Sequence, residues 1–306
     1  MTLCQDQPDR TRSLVLSDTI LDVTRYLPLT ILTITICGMA AMPASAQPRP
    51  AALPRLANGK PDFNGIWQSI GPANYDVERH LARTSMMIRQ GPHGSLPALP
   101  LLRLGAVGSV PGSMGIVEGG TIPYKPEAEK KRQENRANWI DRDPEVKCYL
   151  PGVPRATYMP FPFQIIQNQK QLFFAYEYAG ATRDIYFKDP GPAETDSWMG
   201  QSVGKWDGDT LVIDVTGQSD QTWFDRSGTH HSNQLHVAER YKLTGPNHIQ
   251  YEATIEDSEV FTKPWKISLP LYRRMEADAR LMDFKCVEFV EELVFGEFRR
   301  TPLKRQ

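Results

Sequence analysis

The sequence predicts an all-β, mainly antiparallel protein. Its strands form an up-and-down meander that closes into a lipocalin-like barrel or a strongly curled sheet, with an irregular N-terminal excursion and one surface helix. Three observations carry this. From Phe163 onward, short runs rich in β-formers follow one another: FQIIQ, QLFFAYEY, RDIYF, SVGKW, TLVIDV, QLHVAERYKL, HIQYEATI, WKISLPLY and RLMDFKCVEFV. Turn residues punctuate them at Asn168-Gln169, Gly180, Asp207-Gly208 and Thr244–Asn247, and an Asp-Gly pair between apolar runs is a strong hairpin signal. The connections are mostly short, so successive strands pair with their neighbours. Closure of eight or more such strands removes exposed sheet edges.

Taken in chain order, residues 1–46 read as an export leader. Arg25 precedes an apolar run from Leu27 to Met42, and Pro43-Ala44-Ser45-Ala46 supplies a cleavage signal after Ala46, which predicts a periplasmic or secreted protein. The apolar run is shorter than the roughly 20 residues a bilayer span needs, so no stable membrane span is expected after cleavage. Residues 47–145 form a Pro/Gly-rich N-terminal segment with a short helix, and 146–306 the barrel domain. Within the first, the Pro-rich stretch 47–60 is an extended lead-in and Asp62–Trp67 a turn feeding a short strand. Residues 91–124, dense in Gly, Pro and small side chains, form an irregular excursion that packs over the core or acts as a lid. Pro126 opens EAEKKRQENRANWI, a charged run of helix formers expected to lie on the surface.

Loss of the leader removes three arginines and four aspartates and leaves 32 basic and 32 acidic side chains. That balance, without a Lys/Arg run, gives no electrostatic footprint for nucleic acid. Cys148 and Cys286 remain, and an oxidising compartment favours a disulfide between them; two unpaired buried thiols are the alternative. Two cysteines without C-x-x-C spacing do not suggest structural zinc.

The chemistry-bearing residues concentrate between Gly200 and Arg240. In a strict meander, the turns at 179–182, 207–209 and 244–247 share one end. The longer loops 188–200, 217–231 and 257–263 share the other, the candidate mouth. It would gather Tyr186, Trp198, Gln201, Trp223, Asp225, Arg226, His230, His231, Asp257 and Lys263, with Tyr176 and Arg183 deeper in the lumen. His231 keeps the phase of Leu235, Val237, Tyr241 and Leu243, and is the candidate proton-transfer group; a turn histidine is the alternative. Asp225 either orients His231, acts as a base, or closes an Asx-type turn with Gly228. Arg226 and Arg183 are candidates for gripping a substrate carboxylate, with salt bridges the commoner role. Tyr186, Trp223, Trp198, Gln201 and Tyr176 complete the expected substrate-binding set. Glu239 shares the inward phase, and a structural ion pair with Arg183 or Arg155 is expected.

Two motifs are set aside. Gly200–Gly204 matches G-x-S-x-G, yet a nucleophile elbow must open a helix, and here a turn and a strand follow. His230, His231 and His236 do not form a metal set, because His236 lies on the face opposite His231.

The blocks PDFNGIW, CYLPGVPRATYMPFPFQI, GQSVGKWDGDTLVIDVTG and HHSNQLHVAERY resemble a group of exported bacterial proteins. The resemblance covers most of the chain beyond the leader and implies a secreted β-rich fold. Gln201 stands where that pattern has His, which weakens acid–base work at this position. With no phosphate loop, nucleotide fingerprint or metal cluster in the sequence, no cofactor is expected. The expected function is cofactor-independent acid–base chemistry, by a lyase such as a decarboxylase or dehydratase or by an isomerase, on a small aromatic, carboxylate-bearing molecule. A non-catalytic barrel that binds a small hydrophobic ligand is the alternative.

Overall fold

A computed structural model describes residues 52–84, 88–91, 94–97 and 109–284. The leader, Cys286 and the final run beyond Phe284 lie outside the described residues, so neither the export signal nor the Cys148–Cys286 pairing is addressed by them. Of RLMDFKCVEFV, only 280–284 are described, and they are irregular rather than strand.

Nine strands close into a barrel: β1 (Gly65–Ser69), β2 (Phe163–Gln167), β3 (Leu172–Tyr176), β4 (Thr182–Tyr186), β5 (Gln201–Asp207), β6 (Thr210–Thr216), β7 (His236–Gly245), β8 (His248–Glu256) and β9 (Trp265–Arg273). Neighbours run β1-β9-β8-β7-β6-β5-β4-β3-β2 and back to β1. The PDFNGIW block therefore supplies a barrel strand, and the barrel draws on both segments read from the sequence. Gln167 locks this closure: its Oε1 accepts from Phe63 N at 2.8 Å, its backbone N–H donates to Asn64 Oδ1 at 2.7 Å, and Trp67 Nε1 donates to Phe63 O at 2.8 Å.

Every neighbouring pair is antiparallel except β4 and β5, which run parallel through Ile185↔Ser202 and Tyr186↔Val203. A ring of nine cannot alternate direction all the way round, so one parallel seam is a necessity of the odd strand number. This corrects the sorting of loops. Segment 187–200 travels the length of the barrel before β5 begins, and the 177–181 turn shares an end with loops 217–235 and 257–264.

The alternation read from the sequence fills the lumen. Val237, Glu239, Tyr241 and Leu243 on β7, Ile249, Tyr251, Ala253 and Ile255 on β8, and Ile267, Leu269 and Leu271 on β9 are all buried. Aromatic rings stack through the middle: Phe174 lies 5.5 Å from Tyr241, which lies 4.8 Å from Tyr251. A barrel of about eight strands is just wide enough for side chains to fill it. The expected enclosed hollow is thus a packed core.

Outside the barrel, α1 (Pro126–Ala137) begins with Pro at its first turn, Glu127 and Glu129 near its N-terminus and Arg136 in its last turn, charges that suit its dipole. Its run is predicted to 140, but it ends at Ala137 with Asn138 as C-cap, and a short α2 (Trp139–Arg142) follows. One stripe, Ala128, Arg132 and Asn135, turns inward, while the rest is solvated. Of the 91–124 excursion, residues 116–118 are laid along β9: Ser268 N donates to Ile116 O and Glu118 N to Lys266 O, each at 2.8 Å.

Candidate functional site

The loop between β6 and β7 is a small hairpin rather than an open mouth. Trp223 and His230 bridge antiparallel, Phe224 N donates to Thr229 O at 2.7 Å, and Gly228 makes the tip possible at φ +88°. The Asp225 side chain ties the tip together. Its Oδ1 accepts from Ser227 N at 2.9 Å, Ser227 Oγ at 2.8 Å and Thr229 N at 3.3 Å; its Oδ2 accepts from Thr229 Oγ1 at 3.1 Å and Val77 N at 2.9 Å. Burial and then the neighbouring Asp76 carboxylate push its carboxyl up, against Arg132 and these donors. This is the turn-closing role, with the anchor to Val77 added, and not the orientation of a catalytic histidine.

His231 is equally committed. Its Nδ1 lies 2.8 Å from Ser232 O, so it carries the proton, and Nε2 accepts from Thr222 Oγ1 at 2.6 Å. Burial pushes its pKa below the ordinary histidine value, so the ring is neutral near pH 7. Phe224 beside it closes the barrel end against Phe261 and Trp265. Asp257 accepts from Ser232 N and Oγ at 2.6 and 2.9 Å and shapes the same end. Lys263 is exposed.

Both arginines grip carboxylates, and both carboxylates belong to the protein. Arg226 forks onto Glu145 at 2.8 and 2.7 Å, where Arg155 also reaches at 2.6 Å. Burial alone would raise the Glu145 carboxyl, but Arg226 and Arg155 outweigh it and hold the pKa at about 2. Arg183 spends all five N–H donors in the lumen, on Glu239 (2.6 and 3.5 Å), Ser202 (2.9 and 3.2 Å) and Tyr176 Oη (3.2 Å). Tyr241 and Tyr251 donate to Glu239 Oε1 at 2.9 and 2.8 Å. The expected Glu239 ion pair is therefore with Arg183, and Arg155 serves Glu145 and Asp143 instead. Ser202 of the G-x-S-x-G match lies in a strand as Arg183's acceptor.

Those residues expected at one mouth that border open space divide between two places. Tyr186 and Trp198 line a groove of about 290 Å³ along β4 and β5, where the Arg183 side chain also reaches the wall beside Leu150 and Met199. Gln201, on the adjoining strand, donates to Gly191 O at 2.6 Å. Trp223 and His230 instead line a separate cleft of about 380 Å³ between α1, α2, the turn Pro144–Lys147 and the hairpin. Its other walls are Lys131, Asn135, Arg142, Lys147, Tyr149, Asp141, Asp220 and Gln221. His230 is 3% exposed, and its Nδ1 has no hydrogen-bond partner. Burial first, and then the charge of Lys131, lower its pKa to about 4, against a pull from the Gly228 carbonyl.

The sequence reading missed this cleft because its cationic wall comes from 131–147, a segment read as a solvated helix and its exit. The signal available was the density of Lys and Arg there, opposite a loop bearing Trp223 and His230. Comparison with protein-family models, curated proteins and solved structures finds no match for this chain. Among the described residues, no helix is long and apolar enough to cross a membrane.

Proposed function

We propose that this protein binds a small molecule reversibly in the cleft formed by α1, the Pro144–Lys147 turn and the Trp223–His230 hairpin. One contrast carries the reading. The proton-transfer and carboxylate-binding groups expected from sequence, His231, Asp225, Arg226 and Arg183, are each tied into the protein's own hydrogen bonds and ion pairs. The cleft at the hairpin is open, mixed in polarity and within the size range of ligand pockets, about 300–1,000 Å³. The packed lumen disfavours the carrier reading in which a hydrophobic ligand sits inside the barrel.

The test is a thermal-shift screen of metabolites on wild type and on Lys147→Glu, which inverts a half-buried cleft charge. Compounds that raise the melting temperature of wild type are expected to lose most of that effect in the variant. Hits that stabilise both proteins equally would place the binding site elsewhere. His231→Ala should lower the melting temperature while leaving the ligand-induced rise intact.

An acid–base lyase or isomerase is the second reading, favoured by the neutral ring of His230, whose Nδ1 has no partner, rather than by His231. Turnover of a screened ligand that disappears in His230→Gln would support it. We read the protein as acting after export, on the strength of the Arg25–Ala46 pattern. N-terminal sequencing of the exported form should then begin at Gln47.

A further inference from the structure

Resting on the reading of the cleft as a ligand site, we propose that its ligand is a small aromatic carboxylate, seated against His230 and Lys131 and bound together with one proton on the His230 ring. His230 is almost fully buried, lines the cleft, and has a ring nitrogen without a partner, whereas buried polar atoms are ordinarily hydrogen-bonded. A carboxylate oxygen satisfies an imidazolium N–H directly and strongly.

The charges facing the ring favour an anion. Lys131 approaches from α1, and Lys147 and Arg142 line the same cleft, against Asp141 and Asp220. On the other side Asp257 is committed to Ser232, and His231 is neutral. The Gly228 carbonyl already accepts from Asn135 Nδ2 at 3.3 Å. No carboxylate is hydrogen-bonded to His230 among the described residues. Trp223 and the 37%-exposed Tyr149, which packs 4.8 Å from Trp198, give the cleft aromatic walls suited to an aromatic body.

Burial and Lys131 keep the His230 ring uncharged. A carboxylate at its edge offsets both effects, so binding raises the ring's pKa and takes up a proton. The sign is fixed: affinity rises as pH falls towards the bound value and levels off well above it. An opposite charge at about 4–6 Å shifts a pKa by about 1–3 units; two units here mean about fourfold tighter binding near pH 5.5 than near pH 7.5.

The experiment is calorimetric titration of the folded chain with benzoate and with its neutral counterpart benzamide, in buffers of different ionisation enthalpy, near both pH values. Benzoate is expected to bind with net proton uptake and about fourfold tighter near pH 5.5. Benzamide is expected to bind more weakly with no pH dependence. His230→Gln should abolish the proton uptake, and Lys131→Gln should weaken benzoate at both pH values. The wild-type buffer comparison stands even if a variant does not fold. Equal binding of both probes, or benzoate binding without proton uptake, overturns the inference while leaving the cleft as a ligand site. Binding of neither overturns the inference, and the metabolite screen against Lys147→Glu then decides the cleft reading by itself.

Discussion

Glu145 shows how single residues decide what this surface can do. Two arginines, Arg155 and Arg226, converge on it, and Asn74 joins them: Arg155 Nε donates to Asn74 Oδ1 at 2.8 Å. Neutralising such a buried carboxylate leaves two guanidinium groups without their common partner, and breaking buried pairs costs about 3–5 kcal/mol. Glu145→Gln should therefore lose about that much stability at neutral pH in urea denaturation. Because the folded pKa is depressed from 4.5 to about 2, the Glu145 contribution is fully present above its unfolded value. The gap between wild type and variant should then narrow as pH falls from about 4.5 towards about 2. A gap that stays constant across that window would show that the charge is not what the pair uses. The same residues explain why sequence reading placed Arg226 and Arg183 in a binding site. Residue type announces a carboxylate grip, but only the fold reveals that Glu145, 81 positions away, and Glu239, 56 away, supply it.

At the level of elements, the hairpin tip and the helix it docks on are built against each other. A Cβ on Gly228 would lie 2.6 Å from Arg132 O and 2.8 Å from Arg136 N, and the residue sits at φ +88°, so neither space nor backbone tolerates a side chain. Gly228→Ala should cost at least about 2 kcal/mol and loosen the cleft wall. An unchanged melting temperature would mean that α1 does not bear on the tip. The strands carry a second expectation. β7 and β8 share the longest ladder, while β4 and β5 are joined at only two registered pairs. In native-state hydrogen exchange, β7–β8 amides should be the slowest, and opening should begin at the β4–β5 seam. Slow exchange at the seam equal to that of β7–β8 would contradict this.

Across the whole molecule, the barrel was legible because its signals are local. Period-2 alternation, an Asp-Gly hairpin and short turns each act within about ten residues. The Trp67 strand is legible as a strand, but its place in the barrel and the parallel seam are less accessible, since strand number and closure are set by pairings a hundred residues apart, as between Gly65 and Ile165. The candidate site was legible only in part. The loop carrying Trp223 and His230 stands out in the sequence, but the histidine of the pair that lines the cleft is His230, because the hairpin twists His231 onto Thr222 and Ser232. A filled lumen and an end cleft make opposite demands on any ligand. The direct measurement is therefore chemical-shift mapping of the folded chain titrated with benzoate. Perturbations are expected at Lys131, Trp223 and His230, with Arg183, Tyr241 and Tyr251 unmoved. Shifts centred on Arg183 and Tyr251, with the cleft silent, would contradict it.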